Sequence, residues 1–330
     1  MKVLVTGGGG FLGKALVRRL LERGESVRSF SRGDYPELTE SGVEVRRGDL
    51  ADPAAVAAAC EGMDAVFHAG AKAGIWGAEE EYRLANVEGT RNVLEACRKA
   101  GVGKLVFTSS PSVVFGGADL EGVDESIPYP ERYEAAYPRT KAEAERRVLS
   151  ANGPELLTTA LRPHLIWGPG DNHLVPRLVA RSRAGALRRI SGPPCRVDST
   201  YIDNAVDAHL NALERLSSPD SAPAGKAYFI AQDEPMPLWE LIDRILEAAG
   251  EPPVRRSVSP RAAYAAGCAL EVLYRLLGLG GEPRMTRFLA HELSTAHWFD
   301  LSAARRDLGY CPRVSTAEGL ARLKESFKGY

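Results

Sequence analysis

The polar and apolar positions of this 330-residue chain alternate between two periods. "KVLVTG" (residues 2–7) is a short, continuous apolar run, as expected of a buried strand. "GFLGKALVRRLLERG" (10–24) then places Leu12, Leu16, Leu20 and Val17 at helical spacing and stops on Gly24. Strand-like "SVRSFSR" (26–32) and "VEVRRGDL" (43–50) follow, and "PAAVAAACEG" (53–62) is a helix with Pro53 near its start. "DAVFHAG" (64–70) predicts a strand, residues 79–101 a long helix, "KLVFTSS" (104–110) a strand, 137–152 a helix and "LLTTALRP" (156–163) a strand. Strands alternating with helices predict an α/β fold: a doubly wound parallel sheet with helices on both faces. Ligands bind such sheets at the carboxyl ends of the strands.

Beyond residue 171 the rhythm changes. "LVPRLVARSRAGAL" (174–187), "LWELIDRILEAAG" (238–250) and "RAAYAAGCALEVLYRLLGLGG" (261–281) read as helices, and "AYFIAQ" (227–232) as a strand. The expected organisation is a dinucleotide-binding domain over 1–170, to which 198–232 returns, and a smaller, mostly helical substrate lobe over 171–197 and 233–330.

Composition narrows the classes. The formal net charge is −1 and 26% of residues are charged, which gives no case for nucleic acid. Five cysteines without paired spacing fit a reducing cytoplasm better than a disulfide framework. "MKVLVTGG" runs directly into a strand, leaving no room for a signal peptide, and no apolar run reaches membrane-spanning length.

The chemistry sits at strand ends. "VTGGGGFLG" carries Gly7, Gly10 and Gly13, with Phe11 and Leu12 between them, at a strand–turn–helix junction. Such a turn brings backbone N–H groups and a helix N-terminus to a pyrophosphate. The second strand ends in Ser31 and Arg32 rather than an acid. A guanidinium suits a ribose 2′-phosphate, so NADP (NADPH) is expected over NAD. Asp49 and Leu50 fall where an adenine contact is expected, although Asp49 would serve equally as a helix cap. Ser109, Ser110 and Ser112 follow the fifth strand, and Tyr137 and Lys141 lie one helical turn apart in "YPRTK". Ketone reduction needs a proton donor, and a nearby lysine and a helix N-terminus both favour the phenolate. His164 has no partner spaced for a metal, and no metal site is expected.

Glycine loop, strand-end serines and Tyr-x-x-x-Lys in this order resemble the extended short-chain dehydrogenase/reductases. That resemblance implies a catalytic set of Ser110, Tyr137 and Lys141: Tyr137 gives the proton, Ser110 polarises the carbonyl, and Lys141 holds the nicotinamide ribose and tunes Tyr137. It also implies cofactor contacts from Ala69, Gly70, Ala71, Lys72, Thr108, Pro163 and His164, and a position in the long helix for Asn86. "HAGAKAGIWG", "RPHLIWGPGDNHLVPRL" and "VDSTYIDNAVDAH" look like the 3β-hydroxysteroid dehydrogenase-like branch. Within it they most resemble bacterial 2-alkyl-3-oxoalkanoate reductases of long-chain olefin biosynthesis, and they are similar to sterol-4-carboxylate 3-dehydrogenases. The resemblance implies a hydrophobic β-keto or β-hydroxy acid as substrate, and a homodimer formed through the helices 79–101 and 137–152. His173, Arg177 and Arg287 are candidate carboxylate partners. Ala265, Leu270, Val272, Leu273, Leu276, Leu277 and Leu279 would line an acyl channel, rest on a membrane surface or pack as core. Association with other olefin-pathway enzymes is a further expectation. A nucleotide-sugar epimerase or dehydratase would need a basic diphosphate clamp in the lobe, and a non-catalytic regulator would be expected to lose Tyr137 or Lys141.

Overall fold

A computed structural model describes residues 1–328. Its centre is a seven-stranded sheet: β1 (Lys2–Thr6), β2 (Ser26–Ser31), β3 (Glu44–Arg47), β4 (Ala65–His68), β5 (Lys104–Thr108), β6 (Leu157–Pro163) and β7 (Ala227–Ile230). The spatial order is β7-β6-β5-β4-β1-β2-β3, and every pairing is parallel. Chain order reverses between β1 and β4, so a crevice opens at the carboxyl ends of those strands.

Both faces of the sheet are covered, which is why its strands read as continuous apolar runs. Val3 and Val5 point into one core with Leu16 and Leu20 of the helix Phe11–Glu22, while Leu4 points into the other with Val93 and Cys97 of the helix Gly89–Ala100. The helix Ile202–Arg215 packs beside Phe11–Glu22, tied by an Arg19–Asp207 ion pair at 2.7 Å. The segment that contains it then supplies edge strand β7.

The long helix expected over 79–101 is continuous but not uniform. It is α-helical at Glu79–Tyr82, π-helical at Arg83–Glu88 and α-helical again at Gly89–Ala100. The wide turn carries Asn86, which accepts from Lys72 N (2.7 Å) and donates to Lys72 O and to Thr140 Oγ1 (both 3.0 Å). Asn86 therefore pins the loop after β4 to the helix Ala136–Ser150, and local helix irregularity at a functional loop is a familiar pairing. Beneath that helix, Glu145 and Arg162 form a buried ion pair at 2.7 Å, and Tyr129 donates to the same carboxylate at 2.6 Å.

The lobe has helices Leu174–Arg183, Leu238–Ala248 and Pro260–Leu277, as the periodicity predicts. It also contains a small four-stranded sheet absent from the sequence reading: Met236–Pro237, Arg196–Val197, His297–Phe299 and Leu120–Val123, in that order. Strands of two to four residues carry no readable period. Among the described residues no helix is long and apolar enough to cross a membrane, and all five cysteines are free thiols.

Candidate active site

The glycine turn forms the floor of a cleft of about 720 Å³ over the carboxyl ends of β1, β2, β4 and β5. Its glycines are required by close approach. A Cβ on Gly13 would stand 2.0 Å from Gly7 O, and one on Gly9 1.9 Å from the Tyr35 ring. Gly7 has φ +70°, and a Cβ there would meet the Gly70 backbone at 2.8 Å. Gly9 N donates to Ser31 Oγ at 3.2 Å, locking the turn to the end of β2. The cradle thus fits a pyrophosphate: bare backbone N–H groups at the start of a helix, with no side chain in the way.

Every expected cofactor contact except His164 lines this cleft: Gly7, Gly10, Phe11, Leu12, Gly13, Ser31, Arg32, Asp49, Leu50, Ala69, Gly70, Ala71, Lys72, Thr108, Tyr137, Lys141 and Pro163. His164 lies on the substrate side of the same wall. Tyr35 also lines the cleft and was missed, because nothing in its sequence setting marks it as more than a loop aromatic. Arg32 is exposed and lies 4.0 Å from Asp49. Asp49 is not the helix cap; Asp52 is, accepting from Ala54 N and Ala55 N.

The three expected catalytic residues converge. Tyr137 is the second residue of the helix Ala136–Ser150, and Pro138 is the third rather than the first. Its side chain lines the same cavity as Ser110, whose Oγ meets Ser112 Oγ at 2.9 Å. The Ser109 hydroxyl is buried, and Ser110 rather than Ser109 borders the second cavity with Tyr137. Burial pushes the Tyr137 phenol above its usual range, the Ser110 hydroxyl draws it back, and the charge of Glu292 raises it further. The expected downward pull from Lys141 is absent from this balance. Lys141 Nζ instead donates to Thr108 O at 2.6 Å and stands 3.9 Å from the centre of the Phe107 ring. Burial brings the lysine down to about 7, against an upward influence from Glu145.

A second cavity of about 450 Å³ starts at Ser110 and Tyr137 and extends past His164, His173, Arg177, Glu292 and His297. It shares His164, Leu165, His173, Arg177, Glu292 and His297 with a third chamber of about 510 Å³ inside the lobe. That chamber is apolar, walled by Leu178, Val197, Leu241, Ile242, Ile245 and Met285 among others. Leu165, at the junction of all three spaces, has φ 42°, a conformation a leucine rarely adopts.

Several expected lining residues move elsewhere. Ala262, Ala263 and Ala266 of the helix Pro260–Leu277 face the chamber. Val272, Leu273, Leu276, Leu277 and Leu279 are exposed, and neither they nor Ala265 and Leu270 border it. Arg287 is bound to Glu271 at 2.8 Å and lines none of these spaces. Arg177 does line the chamber but is paired with Glu282. Arg181 and Arg284 border the chamber too, and the guanidiniums of Arg177 and Arg284 add to burial in lowering the Arg181 pKa, so this wall is basic. His173 lies at the mouth of all three spaces.

The absence of a partner for His164 holds only along the sequence. In space, ligand atoms of His164, Glu292 and His297 all lie within 4.8 Å of one another. Burial holds the imidazoles neutral, bringing His164 to about 4 and His297 to about 3, and raises Glu292 to about 7.

Comparison with known proteins agrees with this geometry. The profile described as "3-beta hydroxysteroid dehydrogenase/isomerase family" matches residues 4–259. The chain belongs to that family. It is 55% identical to the 2-alkyl-3-oxoalkanoate reductase of Stenotrophomonas maltophilia, covering 99% of both chains, and 48% identical to the protein of that name from Shewanella oneidensis, covering 98% of this chain and 85% of the other. It is 36% identical to the decarboxylating sterol-4-alpha-carboxylate 3-dehydrogenase of Mus musculus, covering 99% of this chain and 91% of that one. Among solved structures, MoeE5 in complex with UDP-glucuronic acid and NAD superposes with a TM-score of 0.75 at 25% identity, covering 100% and 99% of the two chains. The protein is an oxidoreductase of this family, built on a nicotinamide-dinucleotide fold.

Proposed function

We propose that the protein reduces a long-chain 2-alkyl-3-oxoalkanoate to the 3-hydroxy acid with NADPH, as a step of long-chain olefin formation. The observation that carries this reading is the continuity of the Tyr137–Ser110 pair with a large apolar chamber that has a basic wall. An acid with a hydrocarbon arm matches both properties. The two most similar reductases reported above bear the same activity in their names.

The glycine cradle would hold the dinucleotide, with Arg32 set against the 2′-phosphate and Lys141 against the nicotinamide ribose. When bound, the cofactor supplies the hydride that adds to the ketone carbon. Tyr137 gives its hydroxyl proton to the carbonyl oxygen, so the product is the alcohol. The raised phenol keeps that proton in place at neutral pH, which suits the reductive direction. Ser110, which borders the same cavity as Tyr137, can donate its hydroxyl to the carbonyl oxygen and polarise the bond.

Turnover of 2-alkyl-3-oxoalkanoates, followed as NADPH consumption, tests the reading, with 3β-hydroxysteroids and NAD⁺ run in parallel. Activity confined to the steroids would replace it with a sterol dehydrogenase. A kcat/KM favouring NADH would remove the role given to Arg32.

A further inference from the structure

Beside Tyr137, the side chains of His164, Glu292 and His297 face one another with no hydrogen bond among them. His164 Nδ1 lies 2.7 Å from the backbone oxygen of Asp198, so Nδ1 carries the proton and Nε2 is left with a free lone pair. Thr295 Oγ1 gives its proton to His291 O at 2.7 Å and therefore accepts from His297 Nε2 at 2.9 Å. That fixes the other tautomer and leaves Nδ1 of His297 free. Among the described residues, Glu292 makes no hydrogen bond through its carboxylate. One ligand atom from each of the three side chains lies within 4.8 Å of the other two, with both histidines buried and Glu292 facing the cavity.

We propose that His164, Glu292 and His297 bind one divalent cation of the zinc class. Two imidazoles and a carboxylate are a known donor set for Zn²⁺, and each histidine already has the outer hydrogen bond that orients a metal ligand. Bonds of about 2.0–2.1 Å put tetrahedral ligands about 3.3 Å apart, so separations of up to 4.8 Å must close by at most about 1.5 Å. Glu292, the least constrained of the three, can supply most of that movement. Three protein ligands leave a fourth position open to the chamber. A β-keto acid offers a carboxylate and a ketone oxygen that can chelate there, next to the Tyr137 hydroxyl. That last role rests on the proposed substrate; the binding of the cation does not.

The test uses full-length protein stripped with chelator and titrated with Co²⁺ or Zn²⁺ in the absence of substrate. The expected result is one equivalent per chain, with a Co²⁺ d–d spectrum and no thiolate charge-transfer band from the five cysteines. His297→Ala and Glu292→Gln should each weaken binding by about 100-fold or more, and Thr295→Val, which removes the outer hydrogen bond to His297 together with the bond to His291 O, by about 10-fold. Unchanged NADPH affinity in the variants shows that they are folded. Absence of saturable binding below about 100 μM, retention of the site in the His297→Ala/Glu292→Gln double variant, or a thiolate band would each overturn the proposal. If the cation binds but leaves the KM for 3-hydroxy acids unchanged, the chelating role falls while the site stands. Reductase activity without bound metal would refute neither the substrate reading nor the site, but would exclude the chelating role.

Discussion

Replacing Ala266 by Phe would put a ring into the open side of the apolar chamber without disturbing packed core. Ala266 is exposed yet lines the space. The chamber measures about 510 Å³. At about 30 Å³ per methylene, close to the share of volume a water takes, it holds at most about 17 carbons, or about 12 at native packing density. Each buried methylene contributes about 0.8 kcal/mol, a factor of about four in kcat/KM. The wild-type protein should therefore gain about fourfold per carbon as one arm of the substrate lengthens, and then level off between about 12 and 17 carbons. A phenyl ring fills about 150 Å³, the size of cavity that takes up benzene, which displaces three to five methylenes' worth of chain (about 2.4–4 kcal/mol).

For Ala266→Phe the plateau should thus begin about three to five carbons earlier, with the longest substrates losing about 50- to 1,000-fold and short ones unaffected. β-Keto acids shed CO2 readily, so the series is best run in reverse, with 2-alkyl-3-hydroxyalkanoates and NADP⁺. A wild-type profile flat in chain length, or a variant that slows short and long substrates equally, would refute the assignment of the chamber to the alkyl arm.

Tyr137→Phe should lower kcat about 10²–10⁴-fold with little change in NADPH affinity, read by steady-state kinetics and fluorescence titration. Lys141→Met should abolish efficient turnover yet stabilise the cofactor-free protein. The lysine is brought down to about 7, so between pH 7 and its unfolded value near 10.5 the unfolded chain binds more protons, and wild-type stability should rise with pH across that window. In the variant, denaturant midpoints should lack that rise. Glu145→Ala leaves the buried Arg162 guanidinium without its carboxylate and should cost about 3–5 kcal/mol in urea unfolding. Gly13→Ala drives a Cβ to 2.0 Å from Gly7 O and should eliminate measurable NADPH binding in a calorimetric titration.

What the sequence reveals here is what is local. The glycine turn, the Tyr137–Lys141 spacing and the strand-end serines each lie within a dozen residues, and their order along a two-period pattern gives the sheet and the cleft above it. The substrate side obeys different rules. The helix Pro260–Leu277 is apolar nearly all round, so its periodicity cannot say which face turns inward, and the leucines named from the sequence are on the outside. Arg287 looked available for a carboxylate because Glu271, 16 residues back on another helix, is invisible as its partner until the two helices pack. Lys141 looked like the tuner of Tyr137 because i,i+4 neighbours face one another. The structure sends its ammonium to Thr108 O instead, a contact that depends on where β5 ends.

His164 shows the same limit from the other direction. Its neighbours in sequence offer no ligand, and its neighbours in space come from "HELSTAH", more than 120 positions away: Glu292 at the end of the helix Arg287–Glu292, and His297 on a strand of only three residues, His297–Phe299. That strand belongs to the small lobe sheet, which joins Leu120–Val123, just after the serine loop, to the lobe. The same sheet therefore does two things. It closes the chamber over the Tyr137 hydroxyl, and it carries the one imidazole that turns a lone buried histidine into a cluster. In this fold the parallel sheet sets where the cofactor lies, while the register of a minor sheet sets which polar groups face the reacting carbon. Substrate choice within the family should therefore respond more to changes around Leu120–Val123 and His297–Phe299 than to changes in the glycine cradle.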